Sequence, residues 1–225
     1  MEKIQRTAEW FAQRLGNLTG SRAGIAFQTR KVGARKGEPT EAAEKLILEL
    51  VYERVTRNRI ETPETFAMRW GTEHEDEARQ AYTDATFNEV CEVGFLAHNE
   101  IEHLGASPDG LIEENGERGI LEIKCPSELT HMQRVIAGVV PEEYKPQMLV
   151  EMLCAGAKWA DFVDYDPRNT AKPLFIVRYT PTAEELKEAE EKAVAFLKRV
   201  DEAERAFLNS LGDTETEIWS EEIIQ

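Results

Sequence analysis

Apolar residues recur near helical spacing over residues 1–16, through Ile4, Trp10, Phe11 and Leu15. A second short helix is expected to begin near Thr19-Gly20-Ser21. "TRKVGARKGEPT" (Thr29–Thr40), basic and glycine-containing, reads as a loop. Thr40 is a fair N-cap for a helix carrying Ala43, Leu46, Leu48, Leu50, Val51 and Val55. Thr62-Pro63 repeats the start signal with proline at the first helical position. Trp70-Gly71-Thr72 is expected to interrupt that helix, whose pattern resumes through about Tyr82. The spacing then turns strand-like over Glu89–His98, followed by a hairpin within Ala106–Ser127. Two helical stretches (Glu128–Ile136, Glu142–Cys154), two strands (Trp159–Asp166, Pro173–Thr180) and a long helix from Ala183 to about Leu211 complete the order. This order predicts an α/β fold in which a mixed central β-sheet is flanked by helices. A single domain is expected over 1–212. An acidic C-terminal tail, 213–225, is expected to be loosely held, with Trp219 and two isoleucines free to dock on a neighbour.

Composition narrows the class. The 225 residues are enough for one sizeable core. No apolar run approaches the roughly 18 residues of a spanning helix, and the first sixteen residues lack the apolar stretch of a signal peptide. Cys91, Cys125 and Cys154 are odd in number and widely spaced, which argues against a disulfide framework or a zinc site and suits a reducing cytoplasm. The net charge of −16 looks hostile to nucleic acid. Its distribution is uneven: residues 1–60 hold 12 Lys+Arg against 7 Asp+Glu, and the remainder 15 against 36. Screening acts over roughly 8 Å at physiological salt, so a basic surface can coexist with an acidic exterior.

The hairpin "ASPDGLIEENGERGILEIKCPS" carries charge where strands usually alternate with apolar residues. Asn115-Gly116 is a strong two-residue turn signal, because both central positions need positive φ. Opposed residues then sum to 231, which sets Asp109 across from Glu122. A four-residue loop shifts the sum to 233 and keeps Asp109 on the same face; an odd-length loop turns it away. Ile120, Glu122 and Lys124 share a face by alternation. Two opposed carboxylates repel each other unless a cation is shared between them. Oxygen ligands select hard ions, here Mg²⁺ or Mn²⁺. A lysine beside them can orient or help ionise water and stabilise charge building on a phosphate. The alternative is an exposed salt-bridge ladder on a solvated face.

Pro108-Asp109 followed by Glu122-Ile123-Lys124 resembles the signature of the PD-(D/E)XK, restriction-endonuclease-like nuclease superfamily. More closely, the chain resembles the lambda exonuclease family of YqaJ-type viral recombinases. Five blocks occur in that family's order: "WFAQRLGNLTGS", "WGTEHEDEAR" (Trp70–Arg79), "SPDGL…LEIKCP", "YKPQMLVEM" (Tyr144–Met152) and "YDPR" (Tyr165–Arg168). After Arg168 only element order and length agree.

The resemblance implies an Mg²⁺-dependent 5′→3′ exodeoxyribonuclease, with two ions per site and Mn²⁺ as a substitute. Such an enzyme degrades one strand of linear double-stranded DNA to 5′-mononucleotides and leaves a 3′ single strand for annealing-type recombination. It further implies a ring-shaped homotrimer, a single-strand annealing protein as partner, and a phage-derived enzyme in the bacterial cytoplasm without membrane attachment. Asp109 and Glu122 would be metal ligands, with the main-chain carbonyl of Ile123 and the helical Glu75 completing the site. Thr72-x-x-Glu75 is equally a capping box. Lys124 would be the catalytic lysine, and Gln147 would order the site through hydrogen bonds. Arg14, Ser21 and Ser107 would hold the 5′-terminal phosphate. Met68 would part the terminal base pair, with helix core as its alternative role. None of His74, His98, His103 and His131 is assigned to metal, and Trp10, Trp70 and Trp159 are assigned to the core. A structure- or site-specific endonuclease, or an inactive DNA-end-binding protein, could also use this fold.

Overall fold

Turns and caps decide where the elements of this chain begin, and a computed structural model describes them for residues 5–61 and 63–211. The expected acidic tail with Trp219, together with Ile4 and Thr62, lies outside the described residues. Helix α1 (Ala8–Arg14) starts where the Thr7 hydroxyl accepts the Trp10 N–H at 3.1 Å, so it is shorter than expected. A two-residue strand, β1 (Leu18–Thr19), runs straight into α2 (Gly20–Ala26). Thr29–Thr40 is a loop, as its glycines suggest, and α3 (Glu41–Thr56) is capped by Thr40.

Helix α4 corrects two expectations. It begins at Phe66, capped by Thr65 rather than by the Thr62-Pro63 signal, and it continues unbroken to Thr86. An interior glycine costs about 1 kcal/mol, and Gly71 sits in a helix that recovers more by burying Ala78 and Tyr82 against the sheet.

The expected strand Glu89–His98 is two short ones, β2 (Val90–Cys91) and β3 (Leu96–Ala97), which join different sheets. Strands β1, β4 (Leu104–Ala106) and β3 form a small sheet. The main sheet has the order β2-β5-β6-β7-β8, built from β5 (Gly110–Glu114), β6 (Glu117–Lys124), β7 (Trp159–Tyr165) and β8 (Leu174–Tyr179). Only β6 and β7 pair in parallel within it, so the sheet is mixed. Asn115 and Gly116 both take positive φ, and Gly110 pairs with Leu121, the register of the two-residue turn.

Helices cover both faces of the main sheet. Leu121, Ile123 and Val163 pack under α4, while Ile120, Ala160 and Phe162 pack under α6 (Lys145–Ala155), through Met148 and Met152. Helix α5 (Glu128–Ala137) follows β6, and a 3₁₀ turn over Glu142–Tyr144 leads into α6. The long α7 (Ala183–Ser210) opens with a Thr182–Glu185 capping box and packs with α2 and α3 into a helical core around Leu18, Leu50 and Phe196. The expected α/β architecture, a mixed sheet flanked by helices, is the one observed. No described helix is long and apolar enough to cross a membrane.

Candidate active site

Alternation along β6 puts Glu122 and Lys124 on the α6 side, where neighbouring positions hold apolar core. An apolar side chain buried there would contribute about 2 kcal/mol. Glu122 is instead 1% exposed, a costly position for a carboxylate unless chemistry or a partner requires it. The Lys124 ammonium bonds Glu122 Oε1. Gln147, one turn into α6, donates from Nε2 to Glu122 Oε1 at 2.7 Å and to Glu151 Oε1 at 2.9 Å. Asp109, just before β5, is tied across the hairpin: its N–H donates to the Leu121 carbonyl at 3.0 Å, and its Oδ2 accepts from the Ile123 N–H at 2.7 Å. Asp109, Glu122, Ile123, Lys124 and Gln147 thus meet at one end of the main sheet, lining one cleft of about 870 Å³.

The electrostatics are unbalanced. Burial and then the Glu122 charge push the Asp109 carboxyl above its usual range. Burial and Glu122 likewise hold Glu151 well above the carboxylate range, and its Oε2 is buried with no hydrogen-bond partner among the described residues. Burial opposes the Lys124 ammonium, but the charges of Glu122 and Asp109 outweigh it and raise its pKa. Two buried carboxylates and the half-buried Asp109 therefore crowd one ammonium, and this excess of oxygen-borne negative charge suits a hard cation. Among the described residues no group of three or more His, Cys, Asp or Glu side chains stands ready to hold a metal. In this arrangement Lys124 sits on Glu122, Asp109 holds the Ile123 amide, and Glu75 faces arginines. Glu75 lines the cleft, bonded to Arg6 at 2.6 Å and Arg79 at 3.0 Å, with its carboxyl raised by burial and by Asp109. The capping-box alternative for Glu75 falls, because Thr72 lies inside α4 with its hydroxyl on the Met68 carbonyl.

A second cluster reaches the same cleft through Arg14 and Ser21. Arg14 reaches Ser107 Oγ at 3.2 Å and Ser21 Oγ at 3.3 Å, so three residues spread over 94 positions of sequence come together. Trp10 donates its indole N–H to Ser107 at 3.0 Å and stacks under the Arg14 guanidinium at 4.2 Å. Burial first, and the neighbouring Arg22 charge second, pull Arg14 down to about 10. Crowded, half-desolvated cations of this kind suit an anion. Met68 is 49% exposed on the cleft side of α4, which removes its core alternative. Six Lys or Arg side chains line the cleft against five Asp or Glu, a locally positive surface on a chain of net −16.

Two participants were not legible beforehand. Glu151 had only its position four residues after Gln147 to mark it, and Trp10 was assigned to the core although its N–H holds Ser107. His131 belongs to a separate buried pair with Asp164.

The chain resembles known proteins in sequence and fold. A model of the YqaJ-like viral recombinase domain matches residues 9–158. Two crystal structures of an alkaline exonuclease from Laribacter hongkongensis, LHK-Exo, one of them in complex with dAMP, are 33% identical to the chain. They cover 91% of it and 98% of their own chain, with TM-scores of 0.81 and 0.80. A phage-related exonuclease from Haemophilus somnus 129PT, 16% identical over 85% of this chain and 96% of its own at a TM-score of 0.62, shares the fold. No curated protein matches. With the family model spanning two thirds of its length, the chain belongs to the YqaJ-like viral recombinase family.

Proposed function

We propose that the protein is a divalent-metal-dependent exodeoxyribonuclease that digests one strand of linear duplex DNA from its 5′ end. Its product is a 3′ single strand for annealing-type recombination. Family membership and the likeness to LHK-Exo support an exonuclease acting on DNA. The observation that carries the reading further is the pairing of two clusters at one cleft: Asp109, Glu122 and Lys124 for hydrolysis, and Arg14 and Ser21, with Ser107 bonded to Arg14, for a terminal phosphate. An enzyme that grips a chain end beside its reacting centre works from that end.

Asp109, Glu122 and the Ile123 carbonyl would hold Mg²⁺, or Mn²⁺ in its place, with Glu75 reaching the same ions after exchanging its arginine partners. When bound, one or two such ions supply electrostatic activation of water and of the phosphodiester. Lys124 orients the attacking water and offsets charge building on the phosphate. Gln147 holds Glu122 in place. Arg14, with Ser21 and Ser107, receives the 5′-phosphate, and Met68 parts the terminal pair. A homotrimeric ring around the duplex and a single-strand annealing partner belong to this reading. The basic cleft residues Arg6, Arg14, Arg22 and Arg59 supply its inward charge.

Digestion of linear duplexes labelled at either end, with and without a 5′-phosphate, in Mg²⁺, tests it. Release of 5′-label as mononucleotides, favoured by the phosphate, is expected, with a covalently closed circle left intact. Cleavage of the circle would establish an endonuclease instead.

A further inference from the structure

Helix α4 carries a second feature at its exposed end. Phe66, Trp70 and His74 follow one another at one-turn spacing and stack. Ring centroids lie 6.3 Å apart with 25° between planes for Phe66–Trp70, and 3.7 Å apart with 28° for Trp70–His74. The Arg168 guanidinium lies 4.1 Å from the Trp70 centroid, anchored by Asp166 at 2.7 Å, Glu128 at 2.7 Å and the Pro126 carbonyl at 3.1 Å. The "YDPR" block, which no step of the proposed hydrolysis uses, thus braces this stack. The Trp70 indole N–H is buried without an acceptor among the described residues, so stacking, not hydrogen bonding, sets that ring. The ladder ends at Phe66, 69% exposed.

Its placement matters. Ala67, Met68, Gly71, Thr72 and Glu75 are the α4 residues that line the cleft; none of the ladder rings does. At about 100° per residue, Phe66 and Met68 project about 160° apart from the same first turn. That turn presents an apolar side chain to the cleft and an open aromatic face away from it. Arg69, about 60° from Phe66 around the helix, is half-exposed and only loosely paired with Glu64 at 3.9 Å.

We propose that the Phe66–Trp70–His74 ladder is a stacking platform for bases of the strand that is not digested, so that α4 divides the two strands at a duplex end. The proposal deepens the nuclease reading and rests on it. A base whose partner has entered the cleft has lost its pair and can stack on an exposed ring instead. An exposed ring accepts any of the four bases, because each has a π-face. Arg69 lies where the phosphates of that strand would pass, and Arg168 keeps Trp70 from yielding under the load. The rings are preordered, so little side-chain entropy is lost on binding.

The test uses a duplex with a recessed 5′-phosphorylated end and a short 3′ overhang containing 2-aminopurine, mixed with the full chain in EDTA. Anisotropy reports end binding and fluorescence reports stacking. Wild-type protein is expected to bind the end and quench the 2-aminopurine. Phe66→Ala should lose the quenching and bind the overhang about tenfold more weakly, with unchanged affinity for a duplex end lacking an overhang. Phe66→Trp should restore both. Equal quenching and affinity in Phe66→Ala would overturn the platform while leaving the nuclease reading intact. Absence of end binding by the wild-type chain would overturn both.

Discussion

Two neighbouring strands bury carboxylates in opposite ways. On β7, Asp161 accepts from Tyr82 at 2.7 Å and from Arg178 at 2.8 and 2.9 Å, while Asp164 is held by His131 at 2.5 Å and Arg134 at 2.6 Å. Every oxygen there has a donor. The Asp164 partners have their own: the Lys172 carbonyl is an acceptor, so His131 Nε2 donates to it, and Arg134 also reaches Tyr144. At the β5–β6 hairpin, Asp109 and Glu122, with Glu151 of α6 beside them, crowd around Lys124, which bonds Glu122, and the buried Oε2 of Glu151 has no partner among the described residues. Both regions lie on the same sheet, and Lys124 pairs in register with Asp164. Burial alone therefore does not mark a functional carboxylate. A neutralised pair has nothing to offer a ligand, whereas a surplus of negative oxygen favours a cation, the basis of the proposed metal site.

The difference can be probed by mutation. Lys124→Ala should slow digestion of linear duplex by about a thousandfold or more, the scale of a lost transition-state charge partner. End binding measured by gel shift should stay within a few-fold. Retained hydrolysis would remove Lys124 from the chemistry. Asp164→Ala should do the reverse. It strands His131 and Arg134 in the interior and should cost about 3–5 kcal/mol, or roughly 10 °C in Tm for a chain of this size. Thermal unfolding without metal reads it directly.

Arg14→Ala should erase most of the preference for a 5′-phosphate over a 5′-hydroxyl, by about tenfold to a hundredfold, since charge-assisted hydrogen bonds contribute about 1.5–3 kcal/mol each. Rates on the two ends, measured in parallel, give the ratio. The smallest effect is the sharpest for the comparison. Glu122→Gln removes one of the crowded negative charges and should leave Tm in EDTA unchanged or raised by about a degree or two. The same variant should lose calorimetric binding of Mn²⁺. A large fall in Tm would place Glu122 with the structural acids of β7.

Legibility followed the range of the interactions. The Asn115-Gly116 turn set its own register, because positive φ at two adjacent residues is a local demand, and the facing of Glu122 and Lys124 followed by alternation. Thr40 announced α3 for the same reason. The break at Trp70-Gly71 was misjudged, because propensity weighs one glycine without knowing that Ala78 and Tyr82 anchor the helix beyond it. Val90–Cys91 and Leu96–Ala97 looked like one strand, since their partners, β5 and β4, are set by tertiary pairing. Glu151 carried no mark beyond its spacing from Gln147.

The chain by itself determined most of the order of its elements, the hairpin register and the gathering of Asp109, Glu122 and Lys124 at one place, all consequences of backbone conformation and short-range alternation. Only the folded structure decided which charges were matched. It brought Arg14 to Ser107, set Glu151 behind Gln147, and gave Asp161 and Asp164 their arginines. Electrostatic balance depends on through-space distance and burial, and neither is written in residue spacing.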